Sequence, residues 1–207
     1  MGSSLQTKSE KLAVLVLRPL GGIKMKEMYQ QEKERIFDRS LKFDTKTVVL
    51  MGILIAMQII LSRFLSLAAW NFKVGFGFIP VVLAAMLLGP IKGGIVGAAS
   101  DFIGAILFPL GAYFPGFTLT AFLTGMIYGI LLHKKQSVIN IIIAVGITEF
   151  ILSLLLNSLW ISMLYGAPFL ALLSTRILQC FVLAPVEFLT IGMLSKLLLP
   201  RLRMEPM

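Results

Sequence analysis

Between Thr47 and Ser195 the sequence has little charge: these 149 residues hold only nine of the chain's 29 Asp, Glu, Lys and Arg residues, while residues 1–46 hold 16. A water-facing surface cannot be built from so few charges, so a soluble fold is excluded for that stretch. Cysteine occurs once, at Cys180, and histidine once, at His133. One thiol forms no intrachain disulfide and no thiolate cluster. One histidine beside Lys134 and Lys135 lacks the co-ligands of a zinc site. The Walker sequence that cradles phosphate, the Gly-x-Ser-x-Gly nucleophile elbow and the His-Glu-x-x-His helix are all missing, so no catalytic residues are assigned. No inverted repeat is evident, which argues against a self-sufficient secondary transporter. The net charge of +9 does not read as nucleic-acid binding, because the basic residues flank hydrophobic runs. No metal, cofactor or nucleic acid is therefore expected.

What the chain does have is apolar length: 57% of residues are hydrophobic and the mean hydropathy is +0.91. At about 20 residues per crossing, 149 residues hold roughly six short-looped helices and leave no room for a separate soluble domain. The expected architecture is an all-α, polytopic six-transmembrane-helix bundle. Residues 1–24 read as a vector-derived or mis-assigned N-terminal extension, with Met25 the expected initiator. Residues 25–46 form a mixed-charge cytoplasmic lead-in, residues 47–200 the transmembrane domain and residues 201–207 a cytoplasmic tail. Within the domain the spans are expected at 47–69, 78–88, from 93 to 108, 117–132, 137–165 and 169–199. Gly89-Pro90, Phe108-Pro109 and Gly166-Ala167-Pro168 punctuate them. The last two runs exceed one bilayer thickness and must tilt or protrude. Twelve Lys and Arg residues fall on one side of this bundle, with only Arg63 and Lys73 on the other. The positive-inside bias then places both termini in the cytoplasm of a multi-pass cell-membrane protein.

Four ionisable residues remain inside spans: Asp101, Glu149, Arg176 and Glu187. Each costs about 2.5–3.5 kcal/mol at mid-membrane unless paired or solvated. On the expected topology Asn157, Trp160, Arg176, Gln179, Thr118 and Thr120 gather in the outer half, as a ligand-sized pocket between helices requires. The structural alternative is that Asp101 or Glu149 neutralises Arg176, that Glu187 supports the backbone near Pro185 or a partner contact, and that Thr118 and Thr120 cap the fourth span. Trp70, Trp160, Tyr113 and Tyr165 are equally expected as interface anchors. The first outer loop favours a binding role: Trp70, Asn71, Phe72 and Lys73 join two rings, an amide and a cation, followed by the hinge glycines Gly75 and Gly77. Such a loop can lid a pocket. Its rings would stack on a flat ligand, and Arg63 and Lys73 would attract an anion at the mouth. The ligand that fits carries a planar polar ring at one end and carboxylates at the other.

Small residues also cluster. Gly93, Gly94, Gly97 and Ala98 give the third span a bare surface suited to packing within the bundle, and Gly52 with Ala56 gives the first span a small-xxx-small face for docking a separate membrane protein.

The segment GAYFPGFTLTAFLTGMIYG at residues 111–129, preceded by DFIGAILFP at 101–109, resembles the folate-specific S component (substrate-binding subunit) of energy-coupling factor (ECF) transporters. The resemblance spans about residues 42–199, with PGFTLTAFLTG its most specific part. It implies a six-helix S component of no enzymatic activity, set in the lipid bilayer, that binds folate from outside with high affinity under a gating first loop. It further implies association with a transmembrane T component and two cytoplasmic ATPases, and toppling to deliver the ligand inward. The Ala-x-x-x-Ala motif that such proteins present to the T component has Gly52-Ile-Leu-Ile-Ala56 as its counterpart here, a departure at the first position.

On this reading Trp70, Phe72 and Phe117 enclose the flat rings. Asp101 and Asn157 bond the pterin's ring nitrogens and exocyclic groups, and Arg176, Arg63 or Lys73 meets the glutamate carboxylates. Asn71, Thr118 and Trp160 complete the expected substrate-binding set. Another flat vitamin, such as riboflavin or a thiamin precursor, remains open within the same fold. From other classes, an intramembrane enzyme using Asp101 and Glu149, or a purely structural subunit, also remains open. Replacing Ala56 by Leu is expected to spare ligand binding by the isolated chain and to impair uptake by the assembled complex; normal uptake would discard the docking face.

Overall fold

A computed structural model describes residues 43–68 and 73–197. The expectations for residues 1–24, for nearly all of the lead-in and for the tail at 201–207 lie outside the described residues. In hydrocarbon every backbone polar group must be satisfied within the protein, and helices do this locally. Helix α1 (Thr45–Arg63) opens with Val48 N–H bonding the Asp44 carbonyl at 3.0 Å and closes with Phe64 N–H on Ile60 O at 3.0 Å. Its outer face, including Val48, Val49, Ile53 and Ile60, is exposed for contact with lipid.

The first span, expected to continue to residue 69, leaves its helix at Arg63, and the segment beyond it joins the first loop in a short antiparallel ribbon. Strand β1 (Ser66–Ala68) pairs with β2 (Lys73–Gly75) in the register Ser66 to Gly75, Leu67 to Val74 and Ala68 to Lys73. Gly75 is required at its end of the ribbon, because a Cβ there would overlap the Ser66 side chain.

Helix α2 (Phe78–Leu88) is short but central: Val82, Ala84, Ala85 and Met86 have no exposed surface. It stops at Gly89, whose φ of +92° suits a residue without a Cβ, and Pro90 starts α3 (Pro90–Leu107) at once. The next helix, α4 (Pro115–Leu132), also begins at a proline. Both helices therefore start two or three residues before the sequence reading placed them. Proline's fixed φ and missing donor suit the first helical position, so here it initiates rather than merely terminates. Lys92, in the first turn of α3, is 9% exposed and sets its ammonium 5.8 Å from the Phe43 ring centroid.

The bare face of α3 is consumed within the bundle. A Cβ on Gly125 would collide with the backbone of Gly93 and Gly94, and one on Gly129 with Pro90, so α3 and α4 meet backbone to backbone. Helix α5 (Val138–Tyr165) is continuous but changes winding: its middle, Ile147–Leu156, is a π-helical stretch between two α-helical ends. Gly166, at φ +63°, terminates it. Helix α6 (Phe169–Leu197) carries Pro185 in its interior. Five of the helices are long and apolar enough to cross a membrane, and α2 is the shorter sixth. Among the described residues the chain is a six-helix membrane protein.

One buried cluster joins Val82, Ala85 and Met86 of α2 to Tyr128 and Leu132 of α4, Ile141, Ala144 and Val145 of α5, and Ile191 of α6. Tyr128 is fully buried there; its hydroxyl donates to Glu187 Oε2 at 2.8 Å and lies 2.9 Å from Thr148 Oγ1. Glu187, expected to support the backbone around Pro185 or a partner contact, joins α6 to α4 through this bond. His133 Nδ1 sits 2.9 Å from the Met86 carbonyl oxygen, tying the end of α4 to α2. Replacing Gly125 by Val is expected to destabilise the bundle by about 1–3 kcal/mol through overpacking at the α3–α4 seam, lowering the thermal midpoint in detergent by several degrees. An unchanged midpoint would refute the backbone contact.

Candidate ligand-binding site

A cavity of about 810 Å³ is lined by residues from all six helices, within the size range of small-molecule sites. Gln58 and Arg63 come from α1, Phe78 and Val81 from α2, Asp101 and Ala105 from α3, Phe117, Thr120 and Thr124 from α4, Asn157 and Ile161 from α5, and Arg176 from α6. The α3–α4 loop adds Leu110, Gly111, Ala112 and Tyr113, while the end of α5 and the loop after it add Tyr165 and Ala167.

Arg63, the last residue of α1, places Nη2 3.8 Å from Asp101 Oδ1 and donates to the Asp101 carbonyl at 3.4 Å. Thr118 Oγ1 donates to Asp101 Oδ2 at 2.9 Å. Its proton being spent there, Thr118 accepts from the Tyr113 hydroxyl, 3.2 Å away. A relay thus runs from the α3–α4 loop through Thr118 and Asp101 to the Arg63 guanidinium. The sequence reading offered Asp101 or Glu149 as the neutraliser of Arg176. Asp101 is engaged with Arg63 and Thr118, and among the described residues no ion pair joins Arg176 to either carboxylate.

Thr118 and Thr120 do not cap α4, whose N-terminus has no side-chain cap. Thr118 lies a full turn inside the helix, where it reaches Asp101. Thr120 bonds back to the Gly116 carbonyl at 3.0 Å and accepts Trp160 Nε1–H at 3.0 Å. Trp160 is no simple interface anchor: its ring lies against Gly116, with the Phe114 ring centroid 5.5 Å away.

Several buried polar atoms in the cavity wall have no partner among the described residues: Gln58 Oε1, Arg63 Nε, Asn157 Oδ1, and Nε and Nη1 of Arg176. Orphaned buried groups are rare in folded proteins because each forfeits its hydration. A smaller cavity of about 230 Å³ shares Gln58, Phe78, Asn157 and Arg176 with the larger one. Its remaining wall includes Ser62 and Ser66 near the ribbon, Glu149 and Ser153 from α5, and Gln179, Leu183 and Glu187 from α6. Glu149 is 6% exposed and its Oε2 has no partner, while Cys180 Sγ donates to its backbone carbonyl at 3.4 Å.

Of the residues singled out from sequence, Arg63, Asp101, Phe117, Asn157 and Arg176 line the larger cavity, with Thr118 and Trp160 directly behind its wall. Trp70, Asn71, Phe72 and the side chain of Lys73 lie outside the described residues; the Lys73 backbone pairs with Ala68. Gly52 and Ala56 are exposed on α1, and a Cβ at Gly52 would meet nothing within 4 Å. Sequence reasoning did not assign Gln58, Phe78 or Thr124 to the site. Gln58 left a signal, as one of two polar interruptions in α1, whereas Phe78 resembles any apolar helix residue. Asp101 lines the larger cavity and Glu149 the smaller.

The model of the family described as "ECF transporter, substrate-specific component" matches residues 46–195. The "Folate transporter FolT" of Clostridium novyi (strain NT) is 41% identical over 145 residues, covering 70% of this chain and 84% of that protein. The protein of the same name from Leuconostoc mesenteroides subsp. mesenteroides is 33% identical over 153 residues, covering 70% and 82%. A solved structure described as "Crystal structure of FolT bound with folic acid" superposes with a TM-score of 0.70 at 36% identity, covering 73% of this chain and 93% of that one. The chain belongs to the family of ECF transporter substrate-specific components.

Proposed function

We propose that this chain is the folate-binding S component of an ECF transporter, capturing folate from outside the cell and catalysing no reaction itself. The observation that carries the reading is the 810 Å³ cavity, with unpartnered acceptors on Gln58 and Asn157 and unpartnered donors on Arg63 and Arg176. A polar, flat, carboxylate-bearing ligand satisfies both kinds of group, and the relatives named for folate support that choice. Phe117 packs against the flat rings and Asn157 bonds the pterin. Arg63, toward the loop end of α1, meets the glutamate carboxylates. Asp101, already engaged by Thr118, holds Arg63 in place rather than touching the pterin.

The loop residues Trp70, Asn71, Phe72 and Lys73 close over the mouth. Both termini face the cytoplasm. Gly52 and Ala56, exposed on α1, dock the T component, through which two ATPases drive the toppling that releases folate inward.

Equilibrium binding of folic acid to the purified, detergent-solubilised chain tests this directly. Tight binding without product formation is expected; failure to bind folic acid, with riboflavin or a thiamin precursor co-purifying instead, would reassign the ligand. Trp70→Ala and Lys73→Ala should each weaken folate binding about five- to tenfold while leaving the protein folded. Unchanged affinity in both would remove the lid.

A further inference from the structure

We propose that the adjoining starts of α1 and α3 form a seat for the phosphate of an anionic phospholipid, with Lys92 as its buried cation. The two helices run side by side in the same direction: Lys92 lies against Phe43, and further along Ile95 and Val96 share a buried cluster with Leu50, Met51 and Leu54. Their N-termini therefore meet at one end of the bundle, facing the cytoplasmic leaflet on the orientation proposed above.

Both starts attract negative charge. The first backbone bonds are Val48 N–H on Asp44 O and Gly93 N–H on Gly89 O, which leaves the N–H groups ahead of them without an intrahelical acceptor. Neither start has a side-chain cap, and neither first turn holds an acidic residue. A helix dipole in such a place favours an anion and opposes a cation. Yet each first turn carries a lysine, Lys46 in α1 and Lys92 in α3.

Lys46 is exposed and can turn to water, whereas Lys92 is 9% exposed. Among the described residues Lys92 makes no hydrogen bond and no ion pair; its ammonium has only the face of the Phe43 ring, 5.8 Å from the centroid, just ahead of the start of α1. Asp44 is exposed and forms no ion pair with either lysine. A desolvated ammonium beside a helix N-terminus is unfavourable on both counts, and one anion held between the two starts relieves both.

The surroundings select the kind of anion. Val48, Val49 and Ile53 are exposed along α1 from the same end, an apolar surface on which an acyl chain can lie. A phosphate carried on acyl chains uses both features, while inorganic phosphate uses only the charged end. Basic sites between membrane helices take anionic headgroups on this principle. A zwitterionic headgroup brings its own ammonium toward Lys46 and Lys92 and loses part of the attraction.

The test reads the thermal midpoint of the intact chain in detergent micelles mixed with phosphatidylglycerol or with phosphatidylcholine of the same acyl chains. Phosphatidylglycerol should raise the wild-type midpoint about 3–6 °C above phosphatidylcholine, and inorganic phosphate at matched ionic strength should not reproduce the rise. Lys92→Gln should cut the difference between the lipids to about 1 °C or less, while Lys134→Gln, which removes an exposed lysine from the basic turn after α4, should keep it. Because the variant at Lys92 no longer buries an unpaired charge, its midpoint in lipid-free detergent should match or exceed that of the wild type. Equal midpoints of the wild type in the two lipids would overturn the proposal without need of any variant. So would a Lys92→Gln protein that keeps the full difference, or a Lys134→Gln protein that loses it equally, since general surface charge would then suffice. A rise of the same size with inorganic phosphate would overturn the lipid as the source.

Discussion

The scarcity of partners for polar groups in hydrocarbon governs this molecule. Water is absent from the bilayer core, so a donor or acceptor placed there must meet another protein group or a ligand. Most of the described polar side chains obey locally. Ser100 bonds back to the Val96 carbonyl at 2.7 Å, Thr124 to Thr120 at 2.9 Å, and Thr190 to Val186 at 2.7 Å, each settling its hydroxyl on its own helix. Others reach across: Tyr128 to Glu187, Trp160 to Thr120, Thr118 to Asp101. Against that background the unpartnered atoms of Gln58, Arg63, Asn157, Arg176 and Glu149 stand out because all five residues line two cavities that share part of their wall.

The two arginines illustrate how the same residue type takes different states in one pocket. Arg63 is positioned by a carboxylate that is itself fixed by a threonine, so its guanidinium is oriented before any ligand arrives. Pre-orientation of this kind lowers the entropy lost on binding. Arg176 has no such support from a carboxylate and keeps two donors unspent. Its place in the wall of both chambers makes it the hinge of the site's electrostatics.

Much of the fold was legible because apolar length is carried by composition, which survives without tertiary knowledge. The second span at Phe78–Leu88 and the end of the fifth at Tyr165 appear where the sequence placed them. Helix starts at Pro90 and Pro115 were misjudged because proline was read as a stop, although it equally opens a helix. The winding change at Ile147–Leu156 left no readable trace in the sequence. At the site, intramembrane charge pointed to Asp101, Glu149, Arg176 and Glu187, but their pairing was not recoverable, because which carboxylate faces which cation depends on helix rotation. Phe78 and the Tyr113 relay were similarly invisible, because an aromatic in an apolar chain gives no hint of which neighbour it meets.

The glycine seam between α3 and α4 has a mechanical corollary. Where backbone rests on backbone there is no side chain to rearrange, so that half of the chamber behaves as a stiff plate. Compliance is left to the opposite half, where the widened turns of α5 and the absent amide hydrogen of Pro185 in α6 weaken the rods along their length. Relatives tuned to differently shaped cargo would accordingly diverge on α5 and α6 while retaining the plate.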